Sequence, residues 1–423
     1  MNSKPEPDQT LYVGLDWADR EHAVCLLTPG DGPIHETLAH DPAAIAAWVK
    51  ELAVRFPGRR VLIALEQSRG PLFAALAEHD HWELYPLNPK QLASYRDAVF
   101  PSGAKGDPAD ARLLAEFLQH HHAQLRPWRP DAAQTRRLAE LCELRRKLVD
   151  ERKRLVRQLA ASLKLYFPLI VELAGTSLAG DLCLDLLRRW PTLALLKRVH
   201  PRTLRRFLAE HGVKQAERQT TFIETVRSAV PLTTDQAIIE PRALYVQTLV
   251  AGLRELGRAI AGFDHELQQT TAAHPDEPIF RSAPGAGDVL VPRLIAAFGS
   301  DRERYQSAQQ LQCYSGIAPI TKHSGKTRHV QKRLACPKFL RQTFHEFADQ
   351  ARKWSPWSRA FYRMKRAAGL KHHAAVRALA YKWIRILFHL WKTRTTYSEA
   401  AYLSQLHRNG SPLLNFLEPK AAS

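Results

Sequence analysis

In the segment Tyr12-Val-Gly-Leu-Asp16-Trp17, a short apolar run ends at the carboxylate of Asp16. A second apolar run covers residues 22–27, and the turn-like Ala18-Asp-Arg-Glu21 separates the two runs. Two apolar runs around a tight turn predict a β-hairpin. Asp16 is therefore expected at the end of a strand, where neighbouring elements can bring further polar groups beside it.

Strand and helix patterns alternate through the rest of the first 128 residues. Residues 43–56 and 70–79 have apolar side chains at helical spacing, whereas residues 61–65 and 82–87 are continuous apolar runs typical of buried strands. Asp107 precedes Pro108, the pattern of a helix N-cap followed by proline at the first helical position. This order of elements predicts an α/β region, in which helices flank a mixed sheet.

Four carboxylates stand where these elements begin or end. Asp16 and Glu66 follow strand patterns, while Asp107 and Asp110 lie three residues apart at a helix start and so project from one face. Such a set can hold hard divalent cations, Mg²⁺ or Mn²⁺, through oxygen ligands. Two ions about 3.5–4 Å apart stabilise both the attacking and the leaving oxygen of a phosphoryl displacement. In the alternative interpretation, Asp107 caps the helix, Asp110 compensates its dipole and Glu66 is merely solvated.

The composition indicates a large basic globular protein. The chain has 423 residues, with 61 Lys and Arg against 42 Asp and Glu, and a net charge of +19. That length predicts about two to four domains, and the charge favours a polyanionic partner such as nucleic acid. The alternative is a soluble basic enzyme whose charge does not reflect such a partner. Five scattered cysteines predict neither a zinc site nor a disulfide framework, and we expect a cytoplasmic protein without a membrane span.

Helical periodicity replaces the strand patterns after about residue 131. Leucines at residues 144–163 line one face of a long helix, and residues 145–157 supply an Arg-rich face for a nucleic-acid backbone. Apolar residues at 249–267 alternate at spacings of four and three, the seam of a coiled coil. The two long helices are expected to pair antiparallel within the chain or with another subunit, and the sequence leaves both alternatives open.

Two glycines lie beyond a linker-like segment, His274-Pro-Asp-Glu-Pro278. Gly285 and Gly287 precede an apolar helix, the pattern of a helix-hairpin-helix whose backbone N–H groups face a phosphate. A plain connection between two helices needs the same glycines, so the pattern alone is weak. The chain from Lys338 onward is predicted to be helical and basic.

Ser324 lies in a glycine-flanked basic loop. In one interpretation Ser324 is a nucleophile that bonds covalently to a DNA phosphate. In the other, which the residue types alone favour because no general base is marked, Ser324 only donates a hydrogen bond in a phosphate-binding loop. Ser315 is the competing serine. The cations of the loop are Lys322, His323, Lys326, Arg328, Lys332 and Arg333.

In order and spacing, these segments resemble the IS110-family transposases. The resemblance implies an N-terminal RuvC-like domain of the RNase H fold with a DEDD set (residues 1–128) and a helical coiled-coil region (129–272). A mostly helical transposase domain with the serine (273–350) and a basic helical extension (351–423) follow. The matching segments are Gly14-Leu-Asp16, the strand that ends at Glu66, Lys105-x-Asp107-x-x-Asp110-Ala-Arg112, Pro284-Gly-x-Gly287, and Tyr314-x-Gly-Ile-Ala-Pro319 with Ser324-Gly325.

The same resemblance implies a transposase that cuts and rejoins donor and target DNA. Asp16, Glu66, Asp107 and Asp110 would be the metal ligands, and Ser324 would form a covalent phosphoserine–DNA intermediate. An element-encoded guide RNA and assembly into a dimer or tetramer are implied as well. The expected nucleic-acid-binding residues are Lys105, Arg112, Gly285, Gly287, Lys322, His323, Lys326, Arg328, Lys332 and Arg333.

One segment departs from the family pattern. Residues 332–341 read Lys-Arg-Leu-Ala-Cys-Pro-Lys-Phe-Leu-Arg and lack the Gly-Asn that the family carries before Leu-Arg. The local backbone around Cys336 is therefore expected to differ. Two alternative functions stay open: a RuvC-type junction endonuclease that hydrolyses DNA without a covalent intermediate, and a non-catalytic nucleic-acid scaffold.

Overall fold

A computed structural model of the chain describes residues 10–66, 70–99, 106–325 and 327–417. Two compact units meet in sequence between Pro130 and Asp131. The first unit contains the mixed sheet, and the second is mostly helical. The predicted α/β region followed by a mostly helical remainder is confirmed, whereas the finer domain boundaries stay a prediction.

The sheet of the first unit has five strands in the order β3-β2-β1-β4-β5. β1 is antiparallel to β2 and parallel to β4, and β4 is parallel to β5. The hairpin and the two buried strands are therefore confirmed, and β3 is an additional edge strand that the sequence did not reveal. The strands are β1 (Thr10–Asp16), β2 (Glu21–Leu27), β3 (Ile34–Ala39), β4 (Arg60–Leu65) and β5 (Trp82–Pro86).

Helices cover both faces of this sheet. One face packs on α1 and α2 through Trp48 and Leu76, and the other on α4 through Leu114 and Leu118. The helices expected at residues 43–56 and 70–79 are confirmed as α1 and α2, and α3 is additional. The helices are α1 (Pro42–Arg55), α2 (Pro71–Leu76), α3 (Pro89–Val99) and α4 (Asp107–His121), which a 3₁₀ turn (His122–Gln124) follows.

Gly14 brings α4 directly against the central strand. A Cβ atom on Gly14 would lie 1.9 Å from the carbonyl oxygen of Ala111 and 2.5 Å from the backbone nitrogen of Ala115. Contacts this short between non-bonded atoms are impossible, so only glycine allows the helix to lie this close. The Gly14-x-Asp16 spacing thus fixes the helix that carries Asp107 and Asp110 beside the strand that carries Asp16.

The start of α4 differs from the prediction in one respect. Gly106, not Asp107, is the N-cap, with extended backbone, and Asp107 is the first helical residue. No side chain caps the helix. Since Asp107 does not act as the cap, its carboxylate is left free for another role, and its charge still lies favourably at the helix N-terminus.

The second unit contains fourteen helices and one short sheet within the described residues. The first helices are α5 (Ala133–Leu163), α6 (Pro168–Ala174), α7 (Asp181–Arg189), α8 (Leu193–Arg198), α9 (Pro201–Glu210), α10 (Ala216–Ser228), α11 (Gln236–Ala272) and α12 (Glu277–Arg281). The remainder are α13 (Leu290–Phe298), α14 (Ala308–Tyr314), β6 (Ile320–Ser324), β7 (Thr327–Gln331), α15 (Lys338–Trp354), α16 (Pro356–Ala367), α17 (His372–Thr393) and α18 (Glu399–Arg408), before a 3₁₀ turn (Pro412–Phe416).

The two long helices, α5 and α11, pair antiparallel within the chain. Arg145 pairs with Asp264, and the side-chain amide of Gln134 donates to the carbonyl of Thr270 at 3.2 Å. The structure thus contains the intramolecular alternative; a coiled-coil geometry and pairing with another subunit stay predictions. The pair joins two hydrophobic cores: Leu138 and Leu267 belong to one, and Leu159 and Leu249 to the other.

Two expectations for this unit are wrong. Strands were not expected after residue 131, yet the basic loop around Ser324 is an antiparallel hairpin of β6 and β7. The linker-like segment is not exposed, since His274 and Asp276 are buried. His274 contacts the Thr135 hydroxyl at 2.8 Å, and Asp276 forms an ion pair with Arg302. Buried polar groups with partners belong to a packed fold rather than to a linker.

The basic C-terminal extension packs into the same core as the helices before it. Trp357, Trp383 and Trp391 are fully buried and share a hydrophobic cluster with Phe298 and Phe344. The extension is therefore part of the second unit's framework. In the described residues, no helix is long and apolar enough to cross a bilayer.

Candidate active site

Three elements of the first unit place the four predicted carboxylates. Asp16 ends β1, and Glu66 directly follows β4. Leu15 pairs with Leu65 in the parallel register, so Asp16 and Glu66 continue two neighbouring strands at their carboxyl ends. Asp107 and Asp110 occupy the first turn of α4, which Gly14 holds against β1. The carboxyl ends of parallel strands are a common location for binding and catalytic groups.

These carboxylates interact electrostatically. The pKa of Asp16 is raised to about 6, most of all by burial and then by the negative charges of Asp110, Glu66 and Asp107, in that order. Like charges disfavour ionisation of a half-buried carboxylate, and a bound cation would relieve that repulsion. The pKa shift therefore indicates a concentration of negative charge.

Arg96 is a neighbour that the sequence did not reveal. Its guanidinium contacts the Asp110 carboxylate at 2.5 Å, and both side chains are mostly shielded from solvent. Arg96 lies on α3, and a contact between residues on separate helices has no local sequence signal. The pair supplies one positive charge at the edge of an otherwise acidic group.

The donor set fits a divalent cation by its chemistry, since Asp16, Glu66, Asp107 and Asp110 offer hard carboxylate oxygens. Over the described residues, however, no three carboxylate, imidazole or thiol side chains converge closely enough to hold an ion. Asp110 instead faces Arg96. Metal binding at this site would need side-chain rotation, which the exposed Glu66 and Asp107 permit.

Burial distinguishes the two candidate serines. Ser324 is the last residue of β6 and is exposed. Ser315 is fully buried, and its hydroxyl donates to the carbonyl of Gln312 at 3.3 Å. A buried hydroxyl cannot reach a DNA phosphate, so Ser324 is the candidate that is open to a substrate.

The hairpin also identifies a histidine that the sequence reading missed. Ser324 pairs with Thr327, and Lys322 pairs with His329. Because side chains alternate between the faces of a strand, Ser324 and His329 share one face of the ribbon, while His323 belongs to the other. Recognising the strand period around Gly325, whose φ of +54° suits a tight turn, would have revealed this relation.

The remaining predicted nucleic-acid-binding residues have varied surroundings. Lys105 and Lys326 lie outside the described residues, as do the side chains of Lys322 and Arg328. The Arg112 guanidinium contacts Glu116 at 2.6 Å. Lys332 is exposed, and Arg333 is half-buried.

Packing accounts for one glycine of the helix-hairpin-helix pattern. A Cβ on Gly285 would lie 3.0 Å from both the backbone of Gln350 and the ring of Trp354, and the φ of Gly285 is +80°. A Cβ on Gly287 would meet open space. Gly285 thus has a structural reason to be glycine, and a phosphate contact at Gly287 stays a prediction.

The Arg-rich face of α5 is partly neutralised by ion pairs. Arg145 pairs with Asp264 and Arg154 with Glu151, while Arg146 lies 3.2 Å from Glu346. Surface ion pairs contribute little stability and can exchange for a phosphate. Nucleic-acid binding by this face stays a prediction.

A clasp of three residues fixes the segment that departs from the family pattern. Arg341 donates from Nε to the Sγ of Cys336 at 3.0 Å and from its terminal nitrogen to the carbonyl of Leu334 at 2.6 Å. Gly316 lies so close that a Cβ on it would be 2.3 Å from that sulfur. Arg341, Cys336 and Gly316 thus tie the chain after β7 to the turn before β6.

Two family models match the chain. A model described as Transposase, of the IS110 DEDD type, matches residues 13–168. A model described as Transposase IS116/IS110/IS902 family matches residues 277–363. The first range contains all four carboxylates, and the second contains Ser324.

Curated relatives agree with these matches. The "Mini-circle putative transposase for IS117" of Streptomyces coelicolor is 28% identical over 93% of this chain and 97% of its own length. The insertion element IS116 uncharacterized 44.8 kDa protein of Streptomyces clavuligerus is 26% identical over 93% of this chain and 98% of its own length. A pilin gene-inverting protein of Moraxella bovis is 29% identical over 22% of this chain and 31% of its own length.

Proposed function

The chain belongs to the IS110 family of transposases, and we propose that it cuts and rejoins DNA with Ser324 as nucleophile and the four carboxylates as ligands of a divalent cation. Transposition by a DNA recombinase is the general function of the family. The covalent intermediate, the identity of the metal as Mg²⁺ or Mn²⁺, and a guide RNA belong to the proposal.

Electrostatics carries this proposal. Asp110 and Asp107 from α4 and Glu66 from the end of β4 all act on the ionisation of Asp16. Carboxylates that are only solvated, or that only cap a helix, are not expected to interact with one another in this way, and Asp107 is not a cap. Perturbed ionisation within such a group supports a functional site.

The proposed step forms one bond and breaks one bond. The Ser324 hydroxyl oxygen attacks the phosphorus of a DNA phosphodiester, its proton passes to His329 on the same ribbon face, and a deoxyribose oxygen leaves. The DNA end is then held as a phosphoserine ester, and attack by a deoxyribose hydroxyl reverses the step and rejoins the strand. A bound divalent cation would supply charge neutralisation at the phosphate oxygens.

RNA and subunit partners are further parts of the proposal. The net charge of +19 supports binding to a polyanion such as RNA in addition to DNA. A guide RNA, and a dimer or tetramer around it, would use that charge. The support here is the family resemblance together with composition.

A covalent-adduct assay tests the proposed nucleophile. Protein, Mg²⁺, RNA transcribed from the element and end-labelled element DNA are incubated and then denatured. We expect a labelled protein–DNA adduct with the wild type and none with Ser324→Ala. Ser315→Ala is the matched control, because its hydroxyl is buried, and it should keep the adduct.

The same gel separates the alternatives. Free nicks at wild-type rate with Ser324→Ala would replace the recombinase proposal with a hydrolytic, RuvC-type endonuclease. Binding without adduct or nicks, in the wild type and in every metal tested, would indicate a nucleic-acid scaffold.

A further inference from the structure

A cavity lies at the base of the serine hairpin, within the second unit. Its volume is about 630 Å³, and its walls come from the hairpin, from the turn after α14, and from α16 and α17. Thr321 and Val330, which pair across the hairpin, form one wall, and Ile317, Leu370 and Ala378 form apolar parts of the others. Pockets of about 300–1,000 Å³ are of the size that holds a small organic ligand.

Positive charge surrounds this cavity. Lys332, Arg333, Lys365 and Arg377 contribute to its lining, and no Asp or Glu is among the described residues that line it. The Nε of Arg333 is shielded from solvent and has no hydrogen-bond partner among the described atoms. An unsatisfied, shielded guanidinium donor costs free energy unless an acceptor arrives. The lining therefore suits an anion.

Aromatic rings complete the lining. Phe361 and Tyr381 both reach the cavity, and the Lys365 ammonium lies 5.3 Å from the centre of the Phe361 ring. The backbone carbonyl of Tyr381 accepts a hydrogen bond from the buried Gln312 at 2.7 Å, which fixes α17 to α14. Aromatic faces beside cations are the lining that single-stranded nucleic-acid sites use, with bases on the rings and phosphates on the cations.

The distance to Ser324 matches a neighbouring nucleotide. Ser324 is three residues beyond Thr321 on β6, so the hairpin carries it about 10 Å from the cavity wall at 3.3 Å per residue. Because three residues is an odd spacing, Ser324 lies on the face of the ribbon opposite to Thr321 and Val330. A single strand that presents a phosphate to Ser324 can therefore place a nearby nucleotide in the cavity by passing round the edge of the two-stranded ribbon.

We infer that this cavity binds one unpaired nucleotide of the strand at the hairpin. The base lies against Phe361 and Tyr381, and the adjoining phosphate pairs with Arg333 and Arg377. This inference rests on the proposed function, because it gives the serine site a subsite that recognises unpaired rather than duplex nucleic acid. A duplex base pair is too large for the cavity, so the nucleotide must leave the stack.

Binding to short single strands tests the inference. Fluorescence anisotropy with the full-length protein measures affinity for labelled single-stranded DNA and RNA of about 12 nucleotides, and for a duplex of the same length. We expect Phe361→Leu to weaken single-strand binding about tenfold, because one base-stacking contact is lost. Arg377→Ala should reduce the salt dependence of single-strand binding by about 0.7 in log–log slope, since one phosphate contact is lost. The DNA and RNA arms show which strand occupies the cavity.

Arg366→Ala is the matched control. Arg366 lies next to Lys365 on α16, is exposed and does not line the cavity, so its removal changes net charge equally. Circular dichroism and thermal melting verify that all variants fold. A 5-iodouracil base in the single strand should crosslink to a peptide that contains Phe361 or Tyr381.

Two outcomes overturn the inference: single-strand affinity of Phe361→Leu and Arg377→Ala equal to that of Arg366→Ala, or a crosslink confined to other peptides. Adduct formation at Ser324 is scored on the same variants. An adduct without the crosslink removes only the cavity, whereas single-strand binding and crosslink without any adduct remove only the proposed nucleophile.

Discussion

The two candidate reactive regions differ in how the fold holds them. The carboxylates of the first unit stand at the ends of packed elements, and the contact of Gly14 with α4 fixes the backbone of that helix beside β1. Ser324 stands near the tip of a two-stranded ribbon and is exposed, with its partner Thr327 exposed as well. Isolated two-stranded ribbons are marginally stable. The backbone of the acidic group is thus positioned by the core, while Ser324 lies at the exposed end of a ribbon whose base is packed.

The two regions also differ in the sign of their charge. Burial and then three neighbouring carboxylates raise the pKa of Asp16, so the ionised acidic group carries a repulsion that a cation would relieve. The cavity beneath the hairpin has the opposite excess, with unpaired positive groups such as Arg333. Each region lacks the charge that its proposed ligand brings, a metal in one and a phosphate in the other.

The largest expected effect is on cleavage by Asp110→Asn. Loss of one anionic ligand should lower metal-dependent cleavage by more than about 100-fold and leave salt-dependent DNA binding nearly intact. Cleavage rates and anisotropy measure the two effects. Asp97→Asn, an exposed carboxylate on α3, is the control. Cleavage at the wild-type rate would reduce Asp110 to a structural partner of Arg96.

Gly14→Ala tests the rigid placement of the acidic group. The new methyl group meets the backbone of α4, so the helix must shift, and we expect a loss of about 2–4 kcal/mol in stability together with loss of cleavage. Chemical denaturation measures the first effect. Gly257→Ala is the matched control, because a Cβ there meets nothing within 4 Å and the glycine lies within α11. Gly257→Ala should gain about 0.5–1 kcal/mol from helix propensity.

Asp16→Asn should have opposite effects on stability and on cleavage, and its expected change in stability is smaller than that of Gly14→Ala. The pKa of Asp16 is raised from 3.8 to about 6, so its contribution to stability is fully present below pH 3.8 and is lost as the pH rises through 6. At pH 7 the neutral amide should therefore stabilise the metal-free protein by about 1–2 kcal/mol, after allowance for partial exposure, while cleavage is lost. At pH 3.5 the two proteins should have equal stability. Equal stability at both values would show that neither burial nor the neighbouring carboxylates penalise the ionised form of Asp16.

Much of the first unit was predictable because its signals are local. The hairpin of β1 and β2, the buried strand β4 and the helix start at Asp107 all follow from short apolar runs and from proline. The edge strand β3 has no clear sequence signal because its side chains are mostly exposed, and its apolar residues do not alternate with polar ones. Arg96 was missed because its partner lies on another helix.

The second unit was less predictable for related reasons. The sequence of the serine hairpin predicts a loop, because its strands are exposed and rich in cations. The prolines of the segment at His274 are typical of a linker, although Thr135 and Arg302 satisfy its buried polar groups from distant positions. Only burial distinguishes Ser315 from Ser324, and burial is a property of the whole fold.

The antiparallel pair of α5 and α11 sets a length scale for the second unit. The 37 residues of α11 span about 55 Å at 1.5 Å per residue, which equals about 16 steps of duplex DNA at 3.4 Å each. Each end of the pair packs into a separate hydrophobic core, so the pair connects the two cores. Under the proposed function, surfaces at the two ends of this pair would contact positions on a duplex that are about one and a half helical turns apart, whatever sequence lies between.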